Sequence, residues 1–423
     1  MNWINTSTRC TLRAAIQEAN AYAGADQITF SNSMYISLAT ELPPIEEQLR
    51  IDAGGVWDSI NNRPGITLDC VTRSFRGLIL SPSSGSNEIY GLFIINCSDG
   101  ITIYSAANTI GSTVAYRRNV ISNNNGNGIF IDGSSANNNV VMGNWIGLNT
   151  SGDGKSPNNN GVLIHDAPNN TIGGDTQLEG NYISGNLYDG IIIQGSGAIN
   201  NDVDGNIIGR SASGSHNVGN GVSGVYIWDG ANGNWIGVAR FNTISSNTYD
   251  GVIIMGSNQN LLWYNNIYEN GGCGVNILSG ASYNLVFSNT IIYNGYDGIN
   301  IDGASTTHNS ILSNRIHHNG RLGIYLSNGG NNSMPAPVIT SATSTNVSGT
   351  GCSNCTIEVF ADWNNQGETY LGWVNANATG DWTFNGSIQG PYITATNTAT
   401  SGNTSQFSTP KALNVIFLPM VIK

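Results

Sequence analysis

NTISSNTYDGVII, at residues 242–254, is one copy of a string that recurs along the chain. Related strings begin at Asn119 (NVISNNNGNGIFI), Asn181 (NYISGNLYDGIII), Asn265 (NNIYENGGCGVNI), Asn289 (NTIIYNGYDGINI) and Asn314 (NRIHHNGRLGIYL). The glycine that precedes the apolar end of each string returns after 23 residues (Gly251 to Gly274) to 33 residues (Gly128 to Gly161). Recurrence at such a period is typical of folds in which each repeat packs only against its neighbours.

Apolar residues alternate after each of these glycines, for example at Ile129 and Ile131 or at Val252 and Ile254. A period of two predicts a short strand with one buried face. Two more short strands follow in each repeat, separated by Gly, Asn and Asp, which tolerate the backbone angles of sharp corners. The pattern therefore predicts a coil of stacked rungs, a parallel β-helix, with a rise of about 4.8 Å per rung and a rod about 55–60 Å long.

Asparagine is strongly enriched, and it returns at equal positions of successive repeats. Side-chain amides stacked at the rung spacing can hydrogen-bond to one another, so the sequence predicts asparagine ladders inside the coil.

The two ends of the chain differ in character from its middle. Residues 11–23 have the apolar spacing and the N-cap threonine of an amphipathic helix, and a strand follows from Asp26. After the repeats, alternating strands rich in Thr and Ser predict a small β-sandwich. The predicted domains are an N-terminal cap (1–50), a β-helix (51–333), a β-sandwich (334–410) and an apolar tail (411–423).

Charge and composition exclude several classes of function. Only 10% of the residues are charged, against about 25% in an average protein. The net charge is −12 and no basic patch is present, which argues against a nucleic-acid partner. No apolar run approaches the roughly 18 residues of a membrane-spanning helix. A weakly charged acidic surface fits an extracellular or cell-surface protein.

The cysteines indicate an oxidising compartment. Cys352 and Cys355 lie in the turn-like string GCSNC, which could be redox-active or half a zinc site, but no second cysteine or histidine pair follows it. A structural disulfide between these two is therefore predicted. One more bridge is expected among Cys10, Cys70 and Cys97, with the partners left open. The chain starts MNWINTSTRC, without the basic and apolar regions of a signal peptide, so an exported form would be mature or truncated.

Several motifs resemble a known family. CTLRAAIQEANAYAGADQITF (residues 10–30) resembles the CSLREA-type leader found before right-handed parallel β-helices in bacterial exported proteins. APNNTIGG, from Ala167, and the NVIS, NYIS and NTIS strings resemble the repeat signature of that family, which belongs to the pectate-lyase-like superfamily. The segment around Cys352 and Cys355 is similar to the Ig-like module that often follows such helices, and FLPMVIK resembles a C-terminal motif of secreted proteins of filamentous green non-sulfur bacteria.

The resemblance implies an all-β protein: a right-handed parallel β-helix with an N-terminal capping α-helix, followed by a small Ig-like β-sandwich. It also implies export. It does not fix an activity, because the superfamily includes lyases, hydrolases and adhesins.

Catalysis would need an acid–base group, and one set of residues qualifies. His165 and Asp166 end one predicted strand, and Asp132 ends the strand one rung earlier. Together they could perform acid–base chemistry or hold calcium, while the alternative is a solvated turn. No other cofactor and no dedicated metal centre is expected.

Outward positions of the predicted strands carry apolar and aromatic side chains, which is unusual on a soluble protein. The candidate contact residues are Phe130 and Tyr226 on one strand position, and Trp145, Tyr182 and Trp235 on another. Three explanations remain open: loops of the early rungs cover the row, another subunit or the C-terminal domain covers it, or sugar rings stack on it.

These patterns favour a non-catalytic secreted or cell-surface protein, structural or adhesive, that self-associates into filaments or a surface layer. The physical reason is that a rigid coil with uncapped apolar ends and an apolar stripe has surfaces on which a second copy can pack. The tail could also add as a strand to a neighbouring copy. The alternative is a polysaccharide lyase, a glycoside hydrolase or a carbohydrate-binding module, whose partner is an extracellular polysaccharide.

Overall fold

The computed structural model describes residues 10–363 and 365–413. Two compact units make up the chain, the first from Met1 to Asn266 and the second from Ile267 to Lys423. In the described part of the chain, no helix is long and apolar enough to cross a membrane.

One helix, Leu12–Ala21, opens the first unit. Thr11 caps it by accepting a hydrogen bond from the backbone N–H of Ala14, as the sequence predicts. Its buried face consists of Leu12, Ile16 and Ala19. Parallel pairing starts soon afterwards, because Asp26–Thr29 already pairs with Leu49–Asp52. The first strands of the β-helix therefore lie inside the segment 1–50 that the sequence assigns to a cap.

Three parallel sheets form most of the rest of the first unit, and nearly every rung contributes one strand to each. Sheet 1 contains Asp26–Thr29, Leu49–Asp52, Glu88–Tyr90, Thr109–Ile110, Val140–Val141, Thr171–Gly173, Asp202–Asp204, Trp235–Ile236 and Leu261–Trp263. Sheet 2 contains Met34–Ser37, Ile66–Asp69, Leu92–Ile95, Val120–Ser122, Trp145–Ile146, Tyr182–Ile183, Ile207–Ile208 and Thr243–Ser245. Sheet 3 contains Leu78–Leu80, Ile101–Ile103, Asn127–Asp132, Asn160–His165, Ile191–Gln194, Val225–Trp228 and Val252–Met255. Short 3-10 turns occur at Gly54–Val56 and Ala115–Arg117.

Asparagine ladders run along the three corners of this coil, which confirms the prediction. The ladder before sheet 1 is Asn87, Asn108, Asn139, Asn170, Asn201, Asn234 and Asn260. The ladder before sheet 2 is Asn119, Asn144, Asn181, Asn206, Asn242 and Asn265. The ladder before sheet 3 is Asn124, Asn158, Asn186, Asn220 and Asn247. In each ladder the side-chain amide donates to the side-chain oxygen of the next asparagine.

The second unit begins with rungs of the same kind. Its parallel strands are Val275–Leu278, Ile299–Asp302 and Ile324–Ser327; Leu285–Phe287 and Ser310–Leu312; and Thr290–Ile292 and Arg315–His317. The strand Asn266–Tyr268 lies at the unit boundary, and a 3-10 turn, Gly330–Ser333, ends the rungs.

Two small antiparallel sheets follow in the second unit. One contains Val338–Ala342, Asn346–Thr350 and Asp381–Asn385. The other contains Thr356–Asp362, Thr369–Asn375, Tyr392–Thr398 and Lys411–Ala412. Their shared core includes Val347, Ile357 and Trp382. The β-sandwich is therefore present, and its Ig-like identity stays a prediction. Of the predicted tail 411–423, residues 414–423 lie outside the described residues.

The C-terminal sheets cover the last rung of the second unit, which corrects the expectation of an uncapped end there. The backbone N–H of Asn319 donates to Gln366 Oε1 at 2.8 Å, so a glutamine continues the asparagine ladder. The N–H of Ile316 donates to the carbonyl of Gly367 at 3.1 Å. The N–H of Ile311 donates to Thr404 Oγ1 at 2.9 Å. An edge whose backbone donors are already paired no longer offers a template for strand addition at these positions.

The described residues form two disulfides. Cys352–Cys355, with Cα atoms 5.4 Å apart, confirms the sequence prediction. Cys70–Cys97, with Cα atoms 4.8 Å apart, joins the ends of two neighbouring strands of sheet 2 and leaves Cys10 outside a disulfide. Cys70 pairs with Cys97, and not with Cys10, because these two residues follow strands that are neighbours in the same sheet.

Candidate glycan-binding face

The outward surface of sheet 3 in the first unit carries two parallel rows of side chains, here called the sheet 3 face. The first row is Phe130, Leu163, Ile192, Tyr226 and Ile253. The second row, two residues later on each strand, is Asp132, His165, Gln194, Trp228 and Met255. All ten side chains are half-buried, while the residues between the rows point into the core. Neighbours within a row are one rung apart, about 4.8 Å.

Tyr226 and Trp228 form the aromatic centre of this face. Their rings stack with centroids 5.7 Å apart and an interplanar angle of 13°. The Tyr226 hydroxyl donates to Met255 Sδ at 3.1 Å, which fixes the ring. Burial raises the pKa of Tyr226, and the nearby charge of Asp189 raises it further. The result is a flat, neutral aromatic surface on a rigid strand.

His165 and its two acidic neighbours lie together, as the sequence predicts. The register places Asp132 beside His165, and Asp132 Oδ1 is 2.7 Å from His165 Nδ1. Asp166 Oδ2 is 3.6 Å from His165 Nε2. Asp166 is able to turn back because its backbone is left-handed (φ 48°), and the N–H of Gly197 donates to its other oxygen.

This arrangement has a definite chemical capacity. The carboxylate at Nδ1 orients the imidazole, and Nε2, which lies 3.6 Å from Asp166 Oδ2, is the ring nitrogen able to exchange a proton with a ligand. The rings of Phe130 and His165 are 6.5 Å apart, so the acid–base group borders the apolar row. Whether the three residues act in catalysis or hold calcium stays a prediction.

Trp145 and Tyr182 lie elsewhere, on sheet 2, with their rings 6.4 Å apart edge to face. The prediction of an exposed contact residue at Trp145 is wrong, because its side chain is 6% exposed and packs with Leu148 and Val218 from long loops. The Arg118 guanidinium lies 3.8 Å from the Trp145 ring centroid, and burial lowers the pKa of Arg118 to about 10. Loops of the early rungs, and not a second subunit or a sugar, therefore cover the outward apolar side chain at Trp145.

Trp235 is exposed, but it lies on sheet 1, where it pairs with Asp202 and Leu261. The repeated string GNWIG placed it in one row with Trp145, and that register is wrong. Asp204, two residues after Asp202, has its pKa raised to about 6 by burial and by the charge of Asp202.

Sequence reasoning missed Trp228 and Gln194 in the second row. The period of two that identifies Tyr226 also places Trp228 on the same face, so the signal was available. Within residues 10–363 and 365–413, no three His, Cys, Asp or Glu side chains converge as metal ligands.

Comparison with known proteins agrees with the fold. Residues 172–404 match the family model described as right handed beta helix region. Among curated proteins, none matches this sequence.

Solved structures with similar folds include the periplasmic alginate epimerase AlgG (15% identity, TM-score 0.34, 69% of this chain and 63% of that chain). Another is the Azotobacter vinelandii mannuronan C-5 epimerase AlgE4 A-module (15% identity, TM-score 0.40, 75% of this chain and 90% of that chain). A third is the Dettilon tailspike protein (14% identity, TM-score 0.49, 94% of this chain and 75% of that chain). This chain thus spans less than two thirds of the length of AlgG. At such identities and TM-scores, these similarities carry no information on the function of this chain.

Proposed function

Because the chain belongs to the right handed beta helix family, its face is a rigid linear array, and we propose that it is an exported protein that binds a polysaccharide along the sheet 3 face. A stack of similar rungs offers the same side-chain positions at a constant step, which suits a polymer made of repeating units. Binding without turnover would by itself make the protein adhesive. The proposal therefore joins the predicted adhesive role to the predicted carbohydrate-binding module.

The stacked pair of Tyr226 and Trp228 is the observation that carries the proposal. Aromatic rings supply a large rigid contact area, and an uncovered apolar row on a soluble protein marks an interaction surface. Polar groups along the second row, such as Gln194 and His165, can hydrogen-bond the hydroxyls of a sugar that rests on the apolar row.

Export is supported by the disulfides. Cys70–Cys97 and Cys352–Cys355 persist only in an oxidising compartment in most organisms. The proposed location is extracellular or at the cell surface. Self-association through residues 414–423 stays a prediction.

Removing the aromatic pair tests the proposal. We expect Tyr226→Ala combined with Trp228→Ala to weaken binding to the best ligand of a soluble polysaccharide panel about tenfold or more, because buried aromatic contacts dominate binding energies. Calorimetric titration of the full chain measures the change. Trp373→Ala, which removes an exposed tryptophan of the second unit, is the matched control and should bind normally. Unchanged affinity in the double variant, or an equal loss in the control, would contradict the proposal.

A polysaccharide-active enzyme is the second candidate, and the 2.7 Å contact between Asp132 and His165 favours it. If the chain cleaves its ligand, His165→Gln should lower the rate about 100-fold or more, since general acid–base groups contribute on that scale. The readout is the release of new reducing ends or of unsaturated product. Binding should survive the substitution, because the aromatic pair is intact. Equal rates for the variant and the unaltered chain would remove His165 from any catalytic role.

A further inference from the structure

We infer that the polysaccharide carries free amino groups, so that its sugars are positively charged; this rests on the proposed function and names the ligand class of the same face. The inference comes from the distribution of charge around the sheet 3 face. The expected ligand of the face is therefore a polymer of amino sugars.

The segments that build the sheet 3 face contain aspartates and one histidine, His165, but neither lysine nor arginine. They run from each strand of sheet 3 to the next strand of sheet 1: residues 78–87, 101–108, 127–139, 160–170, 191–201, 225–234 and 252–260. They hold Asp132, Asp166 and Asp229 and neither lysine nor arginine. Three more aspartates, Asp99, Asp189 and Asp250, directly precede strands or strand-opening glycines of the same sheet.

The lysines and arginines of the first unit lie outside the two rows; Arg76, which precedes the strand-opening Gly77, pairs with Glu41. Arg117 pairs with Asp52 of sheet 1, Arg118 lies over Trp145 of sheet 2, and Lys155 donates to the carbonyl of Gly219. The connections from sheet 1 to sheet 2 carry Arg63, Arg117, Arg118 and Arg240, and those from sheet 2 to sheet 3 carry Arg73, Arg76, Lys155 and Arg210. The two rows of the sheet 3 face therefore carry carboxylates but neither lysine nor arginine.

Two of the aspartates lie where a sugar substituent would reach them. Asp132 and Asp166 flank the ring of His165, at 2.7 and 3.6 Å, on the second row beside Phe130 and Leu163. Their side chains are 29% and 45% exposed, so both carboxylates remain accessible to solvent. A pyranose resting on the apolar row would direct ring substituents toward this row. An ammonium group there gains attraction from both carboxylates, whereas a uronate carboxylate meets repulsion from them and finds no lysine or arginine in the two rows.

The test measures how tightly three hexasaccharides bind to the full chain at low ionic strength. They are a glucosamine oligomer, its N-acetylated counterpart and a galacturonate oligomer. The first two share a backbone and differ in charge. We expect the glucosamine oligomer to bind about fivefold or more tightly than the acetylated one, and this advantage to shrink at high salt, because the charges are solvent-accessible. The galacturonate oligomer should bind most weakly.

Paired variants assign the effect to the face. Asp132→Asn combined with Asp166→Asn should abolish the advantage of the glucosamine oligomer, so that it and the acetylated oligomer bind alike. Asp153→Asn, in a loop that follows sheet 2, is the matched control and should keep the advantage. Equal binding of the first two oligomers, or tightest binding of galacturonate, in a manner that depends on Tyr226 would overturn the amino-sugar inference and leave glycan binding standing. Absence of any Tyr226-dependent binding to a wider panel would instead overturn the proposed function.

Discussion

Replacing Asn220 with alanine is expected to lower the free energy of unfolding of the first unit by about 4 kcal/mol. The Asn220 side chain is fully buried. It donates to the carbonyl of Ile183 at 3.1 Å and to Asn247 Oδ1 at 2.9 Å, and it accepts from both the backbone and the side chain of Asn186. Alanine removes all four bonds and leaves a buried N–H without its acceptor, which costs more than the lost bonds alone.

Urea denaturation followed by circular dichroism measures this loss, with hydrogen exchange around Asn186 as a local readout. Asn137→Ala is the matched control, because Asn137 is only half-buried and, among the described residues, its side chain bonds to neighbours at 134, 135 and 138. It should change stability by less than about 0.5 kcal/mol. If both variants unfold alike, the ladder is not a main source of stability.

The second large effect concerns Glu358, which is buried in the C-terminal sheets. The backbone N–H of Ser313 donates to both carboxylate oxygens at 3.0 Å, but burial outweighs these bonds and raises the pKa of Glu358 from 4.5 to about 7. The folded state therefore binds a proton more readily than the unfolded state. Between about pH 4.5 and 7 the stability of the second unit falls as pH rises, by about 3 kcal/mol in total, and above that window this contribution stays lost.

Glu358→Gln removes the titration and keeps an oxygen to accept from Ser313. We expect the variant to be more stable than the unaltered chain at pH 8 and to lose that advantage at pH 4.5. Melting temperatures at pH 4.5, 6 and 8 measure the difference. Glu46→Gln, at an exposed position of the first unit, should show no such pH-dependent difference. A constant difference across this range would show that Glu358 does not titrate there.

The sequence predicts the parallel coil well because local chemistry determines it. Isoleucines that alternate after a glycine predict a strand with one buried face. An asparagine that recurs at each corner predicts a ladder of side-chain hydrogen bonds. The helix Leu12–Ala21 is equally local, since Thr11 and the apolar spacing define it. The contact between Asp132 and His165 was also predictable, because both end strands one rung apart.

Other features depend on the register of distant segments, which no local pattern fixes. Trp145 and Trp235 have the same neighbours in sequence, yet one lies on sheet 2 and the other on sheet 1. Loops of different length shift the phase between the strings, so identical motifs fall on different sides of the coil. The burial of Trp145 and the role of Gln366 follow from such long-range placement, as does the pairing of Cys70 with Cys97.

The asparagine ladders also have a direction. Within a ladder, the N–H groups of one asparagine point toward the asparagine that follows it in sequence, as Asn186 does to Asn220 and Asn294 to Asn319. In a chain that emerges from the ribosome, the last folded rung therefore lacks the asparagine oxygens that accept its N–H groups, because these belong to the next rung. Synthesis and assembly can proceed in the same sense, one turn at a time, and Gln366 supplies its oxygen only when translation is almost complete. A chain cut short before Gln366 would leave the backbone N–H of Asn319 without this acceptor.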